Sequence, residues 1–312
     1  MKKTLVFLLI FTTGSVLFAQ QGLEYEVIDG RSVTITSYTG DAITLEIPAQ
    51  IQGLPVTAIR DYAFVDCESL TNITIPSSVT SIGDLAFSGY AAAQGCNNLT
   101  SFTVDNRNPS YASIDGVFFD KNIRTLIRYP EGKTARIYTI PSSVTAIKDS
   151  AFWGCRSLTS VTIPSSVTVI GYGAFAYCNS LASITIPSSV TSIGDEAFSS
   201  CSNLTSITVD NRNPSYASID GVFFDKNIRI LISYPQGKNQ STYFIPSSVT
   251  SIRDWAFAYC DSLANVTIPS SVTSIGENAF WGCRSLTSVT LSRRTRVEEG
   301  AFPETVRIIY RD

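Results

Sequence analysis

Seven cysteines and no histidine set the chemistry open to this chain of 312 residues. Without imidazole there is no Ser-His-Asp or Cys-His relay, no histidine general base and no histidine-containing metal site. Cys67, Cys155, Cys178, Cys201, Cys260 and Cys283 each stand three residues after the phenylalanine of an Ala-Phe pair. Cys96 does the same once the inserted Tyr90 to Gly95 are set aside, and Asn122 and Asn227 fill the slot in two longer segments. So regular a position reads as a ladder of internal thiols bonded to turn backbone. Disulfides between neighbouring units and a single reactive thiol are the alternatives. An odd count leaves at least one cysteine unpaired in a monomer, and no histidine is there to activate it. Metal binding is weaker still, because no two cysteines have Cys-x-x-Cys spacing. Asp105-Asn106-x-Asn108 and Asp115 lack a complete oxygen-ligand loop for calcium and read as turn formers. No Gly-rich phosphate loop, nucleophile elbow or paired-carboxylate motif occurs.

The elements that position these residues are repeats. Phe64, Phe87, Phe152, Phe175, Phe198, Phe257, Phe280 and Phe302 mark a ruler whose neighbours are mostly 22 or 23 apart. Phe119 and Phe224 are expected to fill the two long gaps, which gives about ten turns. One unit reads Cys-x-x-Leu-x-x-Ile-x-Ile-Pro-Ser-Ser-Val-x-x-Ile-Gly-x-x-Ala-Phe. Its Leu-x-x-Ile-x-Val alternation is that of a strand with one face inward, and Pro187 ends such a strand. Gly194 permits a bend, and Asp195 is placed to cap a brief helical turn. About seven inward side chains, at roughly 1.5–3 kcal/mol each, do not outweigh roughly 1–2 kcal/mol of backbone entropy per residue. One unit alone is therefore unfolded, and only stacked turns that share their apolar faces are stable.

Composition narrows the function further. A formal net charge of -3 and a pI near 5.2 argue against nucleic acid as a partner. Met1-Lys2-Lys3, the apolar run from Leu5 to Phe18 and the small Ala19 read as a signal peptide over residues 1–19. No membrane insertion is expected after its cleavage, because that run is short and no second one follows. Residues 20–59 read as an N-terminal cap built on a hairpin. Residues 60–312 read as the solenoid, closed by a last strand near Thr305 to Tyr310, with Arg293, Arg294 and Arg296 as a solvated terminal cap.

The repeated unit carries a family resemblance. So do Tyr111-Ala-Ser-Ile-Asp-Gly-Val-Phe-Phe, Leu126-Ile-Arg-Tyr-Pro and Gly53-Leu54-Pro55-Val56-Thr57-Ala58-Ile59. All of these resemble the BspA-like leucine-rich repeat surface and secreted proteins, of the TpLRR type, over roughly residues 23 to 312. The resemblance implies a leucine-rich repeat solenoid, β-rich, in the α/β horseshoe class but with very little helix. It further implies an exported protein of host-associated microbes, whose best-described relatives are adhesins for extracellular-matrix or plasma proteins such as fibronectin and fibrinogen. The larger surface-attached relatives end in an anchor or sorting segment, and none is recognisable here.

Two surfaces are candidates for contact. If Ile207 and Val209 point inward, Ser206 and Thr208 point out, as do Ser160, Thr162, Ser183 and Thr185 in other turns. This hydroxyl comb is either a plain solvated β face or an adhesive one. The second candidate is the pair of enlarged repeats near residues 96–140 and 201–245. Val104 to Arg124 is identical to Val209 to Arg229, 105 positions later, so a block of about four turns is duplicated. Each copy is expected to hold a hairpin, with Leu126, Arg128, Leu231 and Ser233 replacing Ser and Thr on the exposed face. Tyr129, Lys133, Tyr138, Tyr234, Lys238 and Tyr243 complete this candidate partner-binding set, which is rich in groups enriched at interfaces.

The reading is a secreted or cell-surface protein, with a periplasmic location also open. It is a non-catalytic binder of a protein partner, adhesin-like, monomeric and without cofactor. A structural envelope component and a carbohydrate-directed enzyme are the alternatives, the latter only if carboxylates converge in a pocket. Replacing Arg128, Tyr129 and Lys133 together is expected to weaken partner binding with the thermal transition nearly unchanged.

Overall fold

The computed structural model describes residues 18–20, 22–87 and 95–311. The expected signal peptide lies almost wholly outside them, as does most of the Tyr90 to Gly95 insertion. The strand-like alternation in each unit becomes a short strand with its β-branched residues inward, stacked in parallel on the next turn. Ser183–Ile186 pairs with Ser206–Val209 in this way, and Asn265–Thr267 lies between Thr242–Phe244 and Ser288–Ser292. The extended piece after Pro-Ser-Ser-Val forms a second parallel ladder, seen in Ala146–Ile147, Val169–Ile170 and Ser192–Ile193. The product is a β-solenoid of about 12 turns. The cap raises the number above ten because it already coils: Ser32–Tyr38 runs parallel to Leu54–Ile59, and Tyr38 packs on Phe64 with ring centroids 5.7 Å apart.

No helix forms among the described residues. The corner after Asp195 reverses through two left-handed residues, Glu196 and Ser200, at φ 57° and 56°. Trp255 and Tyr259 do the same around Phe257, at φ 59° and 58°. A helical turn would direct corner amides back into their own coil. Here the ring residue's amide donates to the next coil, Phe152 N to Ala174 O at 2.7 Å and Phe175 N to Ala197 O at 2.8 Å, while its neighbours close short turns within the coil, as Trp153 N does to Ser150 O at 3.0 Å.

The ring column confirms most of the ruler and corrects its two extra marks. Phe152 and Phe175 stack at 4.8 Å, Phe257 and Phe280 at 4.5 Å, and Phe280 and Phe302 at 4.9 Å. The long repeats join the column through Tyr129, 5.3 Å from Phe152, and Tyr234, 5.1 Å from Phe257. Phe119 and Phe224 do not hold that place. They belong to three-stranded antiparallel meanders: Tyr111–Ile114, Val117–Asp120 and Thr125–Arg128, then Tyr216–Ile219, Val222–Asp225 and Ile230–Ser233. The expected hairpin thus has a third strand. Each central strand is a wall buried on both sides. Phe118 packs into the N-terminal core, while Val117 and Phe119 pack into the next.

The meanders interrupt the second ladder, and specific groups close the break. The Tyr111 hydroxyl accepts the Ile82 amide at 2.9 Å, and the Tyr216 hydroxyl accepts that of Ile193 at 2.9 Å. Ion pairs cross each break, Lys148 with Asp84 and Arg253 with Asp195 at 2.8 Å. Asn108, fully buried, donates to Pro76 O and Val79 O and accepts the Ser110 and Tyr111 amides. The turn reading of Asp105 to Asn108 is thereby explained in full, since Asp105 likewise accepts the Arg107 amide. At the C-terminal end, Arg307–Arg311 lies parallel to Ser288–Ser292.

Interior and terminal rings should differ in cost if neighbours hold each turn. Phe175→Ala is expected to lower unfolding free energy by about 3–5 kcal/mol, and Phe302→Ala, packed on one side only, by distinctly less. Urea unfolding followed by tryptophan emission checks both.

Candidate functional site

The comb is present in register. Ser160, Thr162, Ser183, Thr185 and Thr208 are exposed and Ser206 half-buried, with Ser183 beside Ser206 and Thr185 beside Thr208. In the enlarged repeats the strand aligned with the comb is not the expected one. It is Ile137–Thr139, beside Ser160–Thr162, and Thr242–Phe244, beside Asn265–Thr267. Ile137 and Phe244 therefore stand out of the hydroxyl face, 68% and 70% exposed. Sequence reasoning missed both. The signal was the Ile-Pro step of Ile140-Pro141 and Ile245-Pro246, which also follows the comb strand at Ile75-Pro76, Ile163-Pro164, Ile186-Pro187 and Ile268-Pro269.

Several expected contact residues are interior. Thr125–Arg128 belongs to the second ladder, with Leu126 opposite Ile147. Leu126, Leu231, Tyr129 and Tyr234 are consequently buried, and Tyr138 and Tyr243 pack inward on Tyr129 and Tyr234 at 4.8 and 4.9 Å. Arg128, 5% exposed, donates to the Ser150 carbonyl and pairs with buried Glu131. Lys133 and Lys238 are half-buried clamps on the carbonyls of Asp115 and Asp220, each at 2.7 Å. Replacing Arg128, Tyr129 and Lys133 together would strip the interior, so the expectation of unchanged thermal stability is reversed. Ser233, half-buried, opens onto a cleft.

All seven cysteines are buried free thiols. Each donates to a backbone carbonyl in the preceding coil, Cys178 to Phe152 at 3.1 Å, Cys201 to Phe175 at 3.0 Å and Cys283 to Phe257 at 3.0 Å. Cys155 and Cys260 reach Tyr129 and Tyr234 at 3.7 and 3.8 Å, again placing the tyrosines on the ruler. Asn122 and Asn227 are exposed in the meander turns, not in this ladder. Gly132 and Gly237 take the slot, because a Cβ there would lie 2.5 Å from the backbone of Asn98 and Asn203. Burial pushes the Cys201 thiol from 9.0 up to about 12 and the Tyr129 phenol from 10.0 up to about 12.

A cleft of about 680 Å³ lies at the second enlarged repeat. Tyr172, Asp195, Glu196, Arg253, Trp255 and Glu298 are among its walls, and a recess of about 150 Å³ continues past Trp255 to Tyr177, Gln236 and Tyr259. Carboxylates do converge here, and three of the four, Asp195, Asp254 and Glu298, have partners. Asp195 pairs with Arg253 at 2.8 Å, Glu298 with Arg296 at 2.9 Å, and Asp254 accepts the Glu277 amide at 2.8 Å. Burial and the adjacent Glu196 carboxylate push the Tyr172 phenol up to about 12. No group of three or more His, Cys, Asp or Glu suited to a metal ion occurs among the described residues.

The sequence profile of the BspA type leucine rich repeat region matches in six copies, over residues 44–127, 131–235 and 232–309. The chain belongs to this family. Among solved structures, a leucine rich cell surface protein from Faecalibacterium prausnitzii A2-165 is 28% identical, with a TM-score of 0.58 over 94% of this chain and 87% of that one. The pneumococcal vaccine antigen PcpA is 20% identical, with a TM-score of 0.53 over 96% and 89% of the two chains. A leucine-rich repeat protein from Eubacterium ventriosum ATCC 27560 is 22% identical, with a TM-score of 0.50 over 96% and 97%. No curated protein matches the chain. The BspA-type assignment agrees with the repeated coil, and the likeness at 20% and 22% identity carries the fold alone.

Arg128→Ala in this BspA-type chain leaves Glu131 buried without its partner. It should cost about 3–5 kcal/mol, whereas Thr185→Ala on the comb should stay within about 0.5 kcal/mol; thermal unfolding of both variants decides. The pH dependence has a defined sign. Folded-state values of Cys201 and Tyr129 lie above their ordinary ones, so their contribution is complete below about pH 9 and is lost as pH rises toward about 12. The melting midpoint should fall over that window. At pH 8 a thiol reagent such as Ellman's should leave the native thiols unreacted and reach all seven in denaturant.

Proposed function

We propose that this chain is an exported, non-catalytic, adhesin-like protein. Its partner is a protein, such as an extracellular-matrix or plasma glycoprotein, or a protein on a neighbouring cell. The reading rests on one observation above all. An ordered face of Ser and Thr hydroxyls carries two large apolar side chains, Ile137 and Phe244, each more than two-thirds exposed. Large apolar side chains held on a rigid polar face supply anchors of the kind that carry most of the energy of a protein contact, with near-neutral polar groups around them. The hydroxyls add hydrogen bonds with little charge desolvation, and their ordering cost was met on folding. The 28%-identical leucine rich cell surface protein supports a surface location, and the signal-peptide pattern of residues 1–19 supports export. Pairing of Asp195, Glu298 and Asp254 with Arg253, Arg296 and backbone supports a role in binding over one in hydrolysis.

Surface plasmon resonance against immobilised fibronectin and fibrinogen should give saturable binding. Ile137→Ser with Phe244→Ser should weaken it at least about tenfold, the equivalent of about 1.4 kcal/mol, with an unchanged melting midpoint. No retention on either protein or on a wider matrix and plasma panel would favour the envelope-component reading instead.

A further inference from the structure

The two copies of the duplicated block differ at a buried pair of charged side chains, present in the first and replaced in the second. In the first, Arg128 spans the interior from the Ser150 carbonyl to Glu131, and both charged side chains are buried. Counting 105 positions on, Ser233 stands for Arg128, Gln236 for Glu131, Trp255 for Ser150 and Tyr259 for Gly154. The filler is gone and two aromatic walls have been added. Ser233 and Trp255 line both the cleft of about 680 Å³ and its recess of about 150 Å³, while Gln236 and Tyr259 line the recess. The side-chain oxygen of Gln236 is buried there with no hydrogen-bond partner. A buried acceptor left unpaired is costly and calls for a donor from outside.

The geometry points to this cleft as a binding site for an uncharged oligosaccharide, a site separate from the comb face. Its volume falls within the roughly 300–1,000 Å³ of small-molecule sites. Trp255, Tyr259, Tyr177 and Tyr172 offer flat rings for the C–H face of a pyranose, and Tyr172 and Tyr177 are 46% and 43% exposed. Planar carboxylate and guanidinium groups between them suit ring hydroxyls, which both donate and accept. A lipid is disfavoured by the same polar walls. Charge selects among sugars: Asp195, Glu196, Asp254 and Glu298 face Arg253 and Arg296, four acids against two bases, a net of about -2. Sulfated or sialylated chains would be repelled. The Gln236 side chain lines the recess, and a turn of its amide presents the unpaired oxygen to a sugar hydroxyl there.

The test uses the full chain and the emission of its three tryptophans, Trp153, Trp255 and Trp281, of which Trp255 lines the cleft. Cellohexaose, mannohexaose, laminarihexaose and chitohexaose are titrated separately, with a heparin hexasaccharide and a mixed hexapeptide library as rivals, and calorimetry supplies affinity. At least one neutral hexasaccharide should bind saturably and the heparin fragment should not. Ser233→Arg with Gln236→Glu, which rebuilds the filler of the first copy, should reduce that affinity at least about tenfold without lowering the melting midpoint. Tyr172→Ala, at an exposed position, should weaken binding as well and serves if the double variant folds poorly. Ile137→Ser should leave saccharide binding intact, so the two surfaces fail separately. The proposal is overturned if no neutral saccharide binds at millimolar concentration, if heparin or peptide is preferred, or if the filled cleft binds as well as the open one.

Discussion

The corner amide that donates forward to the next coil is the constraint on which this structure depends. Phe152 N reaches Ala174 O and Phe175 N reaches Ala197 O, so a coil satisfies only part of its backbone by itself. The stacked ring at the same residue and the cysteine thiol that donates to that residue's carbonyl act at the same point. Hydrogen bonding, ring stacking and apolar burial are thus all properties of a pair of neighbouring turns. A turn that lacks any one of the three is held less firmly by its neighbour, and the choice of residues at the corner is correspondingly narrow. Left-handed backbone two residues on either side of the ring is what aims those amides outward, and even Trp255 and Tyr259 accept it.

In the enlarged repeats that chain of dependence is broken and then mended. A meander pushes between coils, and its central strand separates one stretch of core from the next. The ladder that stops there would leave a bare strand edge, an invitation to unwanted pairing. One phenol per break, Tyr111 or Tyr216, takes the exposed amide, and one ion pair bridges the gap. Tyr129 and Tyr234 then restart the column. Their hydroxyls account for the change from Phe only in part: Tyr234 contacts Gln240 at 3.5 Å, while the Tyr129 hydroxyl is buried without a partner.

The regular turns were legible in the sequence because periodicity reports a pattern that every copy must satisfy. The thiol ladder, the inward Ile and Val and the outward Ser and Thr were all readable from spacing alone. The enlarged repeats were not, for a physical reason. Val117-Phe118-Phe119 is buried on both faces, so it shows no alternation to set its register, and Phe119 looked like a ruler mark. That one slip placed Leu126 and Arg128 on the wrong ladder and turned an interior ion pair into an apparent contact surface. The Ile-Pro steps at residues 140–141 and 245–246 carried the correct register, since a proline closes the comb strand in the regular turns. The cleft had no signature in either copy taken singly. It emerges only when the copies are compared and the space between distant residues is known.

The comparison of copies also explains how an opening can arise without unfolding the coil. Losing Arg128 alone would strand a buried carboxylate, and losing Glu131 alone would strand a guanidinium, each a severe cost. Removing both at once exchanges a desolvated pair for two neutral side chains, which is close to neutral in stability. Ser233 with Gln236 is that joint exchange, and the two positions are i and i+3 of one segment. The exchange still leaves a void, which a dry core would fill with methyl groups. Here it is walled with Trp255 and Tyr259, which offer it flat faces, so the second copy keeps the stacking of the first while its recess is lined by neutral and aromatic side chains.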